Sequence, residues 1–379
     1  MTSDVFVTRT GAFLPFDPVG NDDMEAVLGQ VGGKPSRARR TVLRSNGIQS
    51  RHYAIDRATG EPAMTNAQLT ANAIRALGDD IGPIDCMATG TSLPDQLMPG
   101  HAVMVHGELG WPRLEAVSFS GICLAGTAAL KHAWLAVRAG DARSAVATGS
   151  ELASSIMMAR NFEPELDFKV QALEHRPEIA FEKDFLRWML SDGAGAMLLE
   201  RAPRGPLSLR IDWIELSSAA HELPACMYAG ADKNGDETLR GWLRHPADAW
   251  QAQSIFTVKQ DVRLLNDNVV RATFEEPLAA LIAKRRLCAK EINWFLPHLS
   301  SLYFKQPLTD GLERIGFPIP TERWFTNLAT KGNTGSASPY IMLDELFRSG
   351  RIQPGHKLLM FVPESGRFSS GFVFMEAVG

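Results

Sequence analysis

A cysteine at position 123 has the surroundings that a nucleophilic thiol needs. It lies in the sequence SFSGICLAGTAAL, after a short apolar segment, Ala116–Phe119, and at the start of a stretch with helical spacing. N–H groups and the dipole at the start of a helix favour a thiolate, so we expect the pKa of Cys123 to lie below its usual value of about 8.5. Most cysteines are inert packing residues, and that interpretation is favoured for Cys86, Cys226 and Cys288. Small residues leave room beside the sulfur: Gly121, Ala125, Gly126 and Thr127.

A thiol nucleophile needs polar partners, and the second half of the chain offers three candidates. His298 follows the apolar run Asn293–Leu296 and Pro297, at the end of a strand where α/β sheets place ligands. Asn333 lies in KGNTGSAS, which leads into an amphipathic helix. Gly366, in ESGRF, has an unobstructed backbone N–H that suits an oxyanion. Each also has a simpler structural interpretation, as a strand cap or a turn residue.

Motifs of several other enzyme classes are missing from the sequence. GxGxxG, GxxxxGK[ST], HExxH and GxSxG do not occur, which argues against dinucleotide, P-loop, zinc-protease and serine-hydrolase sites. The 4 cysteines show no CxxC pair and no histidine at zinc-finger spacing. We therefore predict no bound metal or cofactor and no disulfide framework, as suits a reducing cytoplasm.

Composition places the chain among ordered globular proteins. It has 379 residues, 45% of them hydrophobic and 22% charged, with a net charge of -4. A net charge of this size and sign creates no overall positive potential that would attract nucleic acid or anionic lipid. No signal peptide and no apolar run of about 18 residues is present, so we expect a cytoplasmic protein without membrane insertion.

Short apolar segments alternate with amphipathic ones along the chain, which predicts an α/β fold. The order of elements also repeats with a period near 200 residues. In the first half IDCMATGTS, SAVATGSELAS and DGAGAMLLE follow one another, and in the second half INWFLPHLSS, KLLMFVPESGRFSS and GFVFME do the same. We predict two similar halves, 1–203 and 204–379, around a pseudo-twofold axis, with the site where they meet.

Five of these segments, in this order, resemble the landmarks of β-ketoacyl-acyl-carrier-protein synthase III, a condensing enzyme of the thiolase superfamily. They are SGICLAGTAALKHAWLAVRAGDARSAVATGSE, WMLSDGAGAMLLE, INWFLPHLSS, KGNTGSAS and ESGRFSSGFVFM. The resemblance covers the chain from Thr8 to Met375. It implies a thiolase-like α/β fold, a duplicated five-layer αβαβα arrangement of two pseudo-twofold halves, the first with the cysteine and the second with the histidine and asparagine.

The resemblance also implies roles for the candidate residues. Cys123 would accept an acyl group, and His298 and Asn333 would stabilise the enolate formed when a malonyl thioester loses carbon dioxide. The backbone N–H groups of Cys123 and Gly366 would form the oxyanion hole. The substrates would be thioesters of acyl carrier protein or coenzyme A, and the protein would be a homodimer.

Several positions depart from the family pattern. Leu299 follows His298 where a glutamine is usual, and Thr41 and Ser45 stand where many members have an aromatic residue and an arginine against the coenzyme A adenine. A carrier-protein donor is therefore favoured. Met98 stands where relatives that join two acyl chains without decarboxylation have a glutamate base, so decarboxylative condensation is preferred.

The basic cluster Lys34–Arg51 has two interpretations, a solvated face or a docking patch. As a docking patch, Arg37, Arg40 and Arg44 would bind an acidic carrier protein or its phosphopantetheine phosphate. The stretch Ser155–Arg187 is longer than in housekeeping members, which favours a specialised lipid or polyketide-type role. Two alternatives stay open: an acyltransferase to an oxygen or nitrogen nucleophile with His298 as general base, and a non-catalytic partner subunit.

Overall fold

The computed structural model describes residues 3–163 and 186–379. One large sheet contains most of the strands, and three small two-stranded sheets lie in the loops. The strands are β1 Phe6–Phe13, β2 Val19–Gly20, β3 Ser50–Arg51, β4 Cys86–Thr91, β5 Glu115–Ser120, β6 Ser144–Glu151, β7 Gly193–Glu200, β8 Ser208–Ser218, β9 Met227–Tyr228, β10 Ala231–Lys233, β11 Leu239–Gly241, β12 Lys259–Gln260, β13 Ile292–Pro297, β14 Lys357–Glu364 and β15 Ser369–Val378.

The helices cover both faces of the large sheet. They are α1 Met24–Leu28, α2 Arg39–Asn46, α3 Asn66–Arg75, α4 His101–Leu109, α5 Leu124–Ala139, α6 Ser154–Met157, α7 Ala247–Ala252, α8 Val262–Val270, α9 Glu276–Arg285, α10 Lys305–Arg314, α11 Leu328–Lys331 and α12 Ser338–Arg348. Helix α3 begins with a capping box, in which Thr65 and Gln68 satisfy each other's backbone N–H groups.

The large sheet has nine strands in the order β13-β14-β15-β8-β1-β7-β6-β4-β5. Its two halves repeat each other outward from the junction of β1 and β8. On one side β7 is antiparallel to β6, which is parallel to β4. On the other side β15 is antiparallel to β14, which is parallel to β13. The junction itself consists of the pairs Phe6 with Arg210 and Val7 with Leu209.

Alternate residues of the central strands pack in different layers, as the period of two in a strand requires. In β14, Leu358 and Met360 belong to a core that also contains α5 and α12 residues, whereas Leu359 lies in the core beneath helices α8 to α10. In β6, Ala145 faces the shared core and Val146 faces the core that includes α3. Three helical layers are thus separated by two half-sheets, which is a five-layer αβαβα arrangement.

The predicted α/β thiolase-like fold is confirmed by this arrangement. The sequence pattern also located the central strands and helices to within a few residues, but it missed β1 and β8, the strands that join the half-sheets. The boundary between halves at residue 203 remains a prediction; β7 ends at Glu200 and β8 begins at Ser208. Most of the stretch Ser155–Arg187 lies outside the described residues.

Candidate functional site

Cys123 lies at a sharp connection between strand β5 and helix α5. The strand ends at Ser120, and Cys123 has helical backbone angles, φ -56° and ψ -27°, directly before the first helical residue, Leu124. Only 8% of Cys123 is exposed. Glycine is required nearby because Gly90 approaches the first turn of α5, where a Cβ atom would lie 2.3 Å from the backbone of Ala125.

Two cavities meet at Cys123. The wide cavity has a volume of about 320 Å³ and includes Cys123, Glu151, Gln260 and Asn333 in its wall. The narrow cavity has a volume of about 40 Å³ and includes Cys123 and His298. The remaining wall of the wide cavity is mainly apolar, with Leu93, Ile122, Ala153, Leu186, Met189, Leu190, Met227 and Val258.

His298 presents an unpaired ring nitrogen at the site. Its backbone N–H donates to the carbonyl oxygen of Phe361 at 2.8 Å, which fixes the residue after strand β13. The side chain is buried, and its Nε2 atom has no hydrogen-bond partner among the described residues. Burial lowers the pKa of His298 to about 4, so the imidazole is neutral at pH 7 and can either donate or accept one hydrogen bond.

Asn333 is fixed by bonds at its backbone and its side chain. Its N–H donates to Met189 at 3.0 Å, and its carbonyl oxygen accepts from Ser191 at 2.9 Å. The side-chain Oδ1 atom accepts from the N–H of Gly335 at 3.0 Å. Because Oδ1 is engaged, the amide Nδ2 group is the donor that remains for a ligand in the wide cavity.

The turn that carries Asn333 is clamped onto the first half of the chain. Ser336 donates its hydroxyl to the carbonyl oxygens of Gly90 at 3.2 Å and Ser150 at 2.9 Å. Its backbone N–H donates to Glu151 at 3.1 Å. Gly335 has φ +52°, and a Cβ atom there would lie 2.7 Å from the Glu151 side chain. This clamp brings Asn333, from the second half, to the cavity that contains Cys123.

Glu151 is a site residue that sequence reasoning missed. Its carboxylate accepts hydrogen bonds from the Ser92 hydroxyl at 2.6 Å, the Ser92 N–H at 3.2 Å and the Ser336 N–H. Burial raises the pKa of Glu151 to about 7, against the opposing effect of these bonds. The signal was an acidic residue at the end of the otherwise apolar strand SAVATGSE.

Glu364 occupies the N–H groups that we expected to stabilise a thiolate at Cys123. Its carboxylate accepts from the N–H of Ile122 at 3.2 Å and of Leu124 at 3.3 Å, so it occupies the helix start itself. Burial, followed by the charges of Glu364 and Glu151, raises the pKa of Cys123 above its usual value. The prediction of a lowered thiol pKa is therefore wrong: the N–H groups near the sulfur already have an anionic partner.

Gly366 lies in the turn between β14 and β15. Its carbonyl oxygen accepts from the N–H groups of Cys226 at 2.8 Å and Met227 at 3.3 Å. A Cβ atom at this position would lie 2.9 Å from the end of the Ile122 side chain, so the loop lies close to the residue before Cys123. The walls of both cavities include its neighbour, Ser365. The oxyanion-hole role of Gly366 and of the Cys123 N–H remains a prediction.

The basic cluster Lys34–Arg51 is divided in the structure. Arg51 is fully buried, with its guanidinium donating to Asn21 at 2.5 Å, and Arg39 pairs with Glu25 at 2.8 Å. These two cations are engaged within the chain, so they do not belong to the exposed part of the cluster. Arg37, Arg40 and Arg44 are exposed on and before helix α2. That helix packs against Leu302–Phe304, and Phe304 also lines the narrow cavity.

Comparisons with known proteins agree with this architecture. A family model described as the C-terminal part of 3-oxoacyl-[acyl-carrier-protein] synthase III matches residues 282–374. A β-ketoacyl-[acyl-carrier-protein] synthase III of Xanthomonas oryzae pv. oryzae is 27% identical over 376 residues, 98% of this chain and 97% of the relative. The chain is thus similar, along nearly its whole length, to β-ketoacyl-acyl-carrier-protein synthase III, a condensing enzyme of the thiolase superfamily.

Solved structures of this superfamily have the same fold. The 3-oxoacyl-(acyl carrier protein) synthase III of Pseudomonas aeruginosa superposes with a TM-score of 0.71 at 19% identity, covering 99% of this chain and 98% of its own. A variant of OleA from Xanthomonas campestris reaches 0.74 at 18% identity, covering 99% of both chains. The tetronic acid condensing enzyme AbyA1 reaches 0.72 at 18% identity, covering 98% and 99%.

These similarities confirm the predicted resemblance to β-ketoacyl-acyl-carrier-protein synthase III. Within the described ranges, no helix has the length and apolar character needed to cross a bilayer.

Proposed function

We propose that the protein loads an acyl group onto Cys123 and extends it by decarboxylative Claisen condensation with a malonyl thioester. The observation that carries this proposal is the position of Cys123 at the junction of two cavities, one with Asn333 and the other with His298 in its wall. A thiol between two polar groups that can donate hydrogen bonds matches a reaction in which an acyl thioester meets an enolate.

The loading step exchanges one thioester for another. The sulfur of Cys123 attacks the carbonyl carbon of the donor, and the bond between that carbon and the donor sulfur breaks. The thiol proton ends on the departing donor thiol. Because the pKa of Cys123 is raised, this proton leaves as the sulfur attacks rather than before it.

The condensation step needs donors for a negative oxygen. When the malonyl thioester loses carbon dioxide, charge develops on its thioester oxygen, to which the His298 ring N–H and the Asn333 Nδ2 group donate. Each such donor in a dry site is worth on the order of 3 kcal/mol. The carbanion then attacks the acyl carbonyl, the sulfur of Cys123 leaves, and a β-ketoacyl thioester forms.

A second candidate is transfer of the acyl group from Cys123 to an oxygen or nitrogen nucleophile. The neutral, unpaired Nε2 atom of His298 favours it, because this atom can accept a proton from an alcohol or amine. Carbon dioxide release separates the two reactions, since only condensation of a malonyl donor produces it.

For the donor we propose a carrier-protein thioester, with coenzyme A thioesters as the alternative. The exposed Arg37, Arg40 and Arg44 favour an acidic partner or its phosphate near the narrow cavity. An OleA structure from Xanthomonas campestris contains lauric acid and lauroyl-CoA, which shows what that relative binds. We propose a specialised cytoplasmic role in lipid or polyketide-type biosynthesis, without a resident cofactor.

We also propose a homodimer that forms along strand β5. This strand is the edge of the nine-stranded sheet, and an edge strand offers unpaired backbone groups to a second chain. The loop before helix α4 lies beside it, since the N–H of Ala102 donates to the Ser118 hydroxyl at 2.8 Å. That loop and helix expose Leu97 by 72%, Met98 by 82% and Val103 by 48%, an apolar surface that suits an interface.

Intact-mass spectrometry after mixing with acyl-coenzyme A and acyl-carrier-protein thioesters tests the proposal. We expect a mass gain of one acyl group that is absent in Cys123→Ala. Carbon dioxide release from labelled malonyl donor should follow loading, and His298→Ala or Asn333→Ala should suppress this release while loading persists. Acyl labelling that survives in Cys123→Ala would refute the nucleophile, and absence of loading with every donor would favour the partner-subunit interpretation.

A further inference from the structure

The wall of the wide cavity includes a buried amide whose oxygen has no partner. Gln260 is 3% exposed, and its Oε1 atom meets no hydrogen-bond partner among the residues that the structure describes. The same side chain belongs to the wall of the cavity. Burial of an unpaired polar group is unfavourable, so a ligand group that forms a hydrogen bond with it is bound in preference to one that cannot.

The backbone around Gln260 is well fixed. Strand β12 pairs with β9, so that Gln260 lies opposite Met227 and Lys259 opposite Tyr228. The ammonium group of Lys259 is engaged elsewhere, with the carbonyl oxygen of Ala231 at 2.9 Å and the carboxylate of Asp232 at 2.7 Å. Strand β12 therefore presents a neutral amide to the cavity, not a cation.

A second polar group in the wall, Glu151, limits the kinds of ligand group that the wide cavity can bind. The Glu151 carboxylate already accepts three hydrogen bonds from Ser92 and Ser336, and its burial disfavours a fixed negative charge. A cationic ligand group would therefore lose its hydration without finding a bare counter-ion. A pure hydrocarbon chain would leave the Gln260 amide unpaired. A hydroxyl group donates and accepts, so it pairs with the amide in either orientation.

We infer that the wide cavity receives an acyl chain that carries a hydroxyl group, and that Gln260 recognises this hydroxyl. The inference rests on the proposed function and assigns the acyl chain on Cys123 to the wide cavity, because the narrow cavity of about 40 Å³ has no room for such a chain. It identifies the substrate class as hydroxyacyl thioesters. A site that hydrogen-bonds a hydroxyl discriminates strongly against an analogue without it.

Matched pairs of acyl-carrier-protein thioesters, and the same pairs as coenzyme A thioesters, test this inference. Each pair has one straight acyl chain, with and without a single hydroxyl, and the hydroxyl is moved along the chain from pair to pair. The rate of Cys123 acylation is measured in single turnover by intact mass. We expect at least one hydroxylated member to load about tenfold faster than its plain partner. In Gln260→Leu, which keeps the size but removes the polar atoms, this preference should disappear.

The control is Val258→Ile, an apolar change in the same cavity wall, which should retain the preference. Equal rates in every pair, or a preference that survives in Gln260→Leu, would overturn the inference while leaving the proposed function intact, because Cys123 is still acylated. Absence of acylation by both members of all pairs, in protein whose Cys123 still reacts with iodoacetamide, would overturn the proposed function and this inference with it.

Discussion

Cys123 shows how one neighbouring side chain changes the chemistry of a thiol. The start of helix α5 alone would favour a thiolate, but the Glu364 carboxylate occupies the N–H groups of Ile122 and Leu124. Burial also raises the pKa of Glu364, against the opposing effect of its hydrogen bonds from Ile122 and Leu124. The thiol of the unloaded protein is therefore held protonated, which protects it from oxidation and alkylation.

Substitution Glu364→Gln should make the thiol of Cys123 more reactive. The amide keeps the shape of the side chain and removes the charge, so the thiol pKa falls and alkylation by iodoacetamide at pH 7 should accelerate by roughly threefold or more. Mass spectrometry measures the rate. Label on other cysteines, such as the exposed Cys288, is measured in Cys123→Ala and subtracted. Glu322→Gln, an exposed carboxylate elsewhere, should leave the rate unchanged. An unchanged or slower rate in Glu364→Gln would contradict this account.

At the scale of elements, the decisive contact is the clamp between the Asn333 turn and strands β4 and β6. Ser336 binds the ends of both strands, and Gly335 fits against Glu151 because it has no side chain. The clamp joins the half that contains Cys123 to the half that contains His298 and Asn333. Its loss should affect the position of Asn333 more than that of Cys123.

Substitution Gly335→Ala tests this clamp. The added methyl group would lie 2.7 Å from the Glu151 side chain, so the turn must shift and move the Asn333 amide. We expect condensation, measured as carbon dioxide release, to fall by about tenfold or more, with little change in acyl loading of Cys123. Gly350→Ala is the matched control, because Gly350 also has positive φ, +72°, but has open space around it. Equal effects of the two substitutions on condensation would mean that backbone strain alone is responsible.

The sequence predicted an α/β fold of two similar halves because apolar strands and amphipathic helices repeat in the same order, and the resemblance to a known family implied the five-layer arrangement. It also predicted that Cys123, His298 and Asn333 would be near one another. It did not predict Glu151, Gln260 and Glu364, because their importance depends on contacts between segments far apart in the chain. The prediction for the pKa of Cys123 was wrong for the same reason. The sequence shows that Cys123 lies at the start of a helix, but it does not show that the Glu364 carboxylate, about 240 residues away, lies beside it.

At the scale of the whole molecule, the edge strand and its neighbouring apolar loop predict how two copies associate. The double substitution Leu97→Lys and Met98→Lys places two charges on the exposed loop beside β5, where an apolar interface would bury them. Size-exclusion chromatography with light scattering should show a dimer for the natural chain and a shift toward monomer for the variant. Leu243→Lys, at a site 78% exposed elsewhere, should remain dimeric. If Leu243→Lys dissociates and the double variant stays dimeric, the interface lies on a different surface.

The position of the last strand has a consequence for biosynthesis of the protein. Strand β15, residues Ser369–Val378, is inserted between β14 and β8, in the interior of the sheet and not at its edge. Before β15 has been made, β14 has no strand that connects it to β8, so the half-sheet that supports His298 stays open. The half with Cys123 is translated first, and it can meet His298 in its final position only after β15 has been inserted.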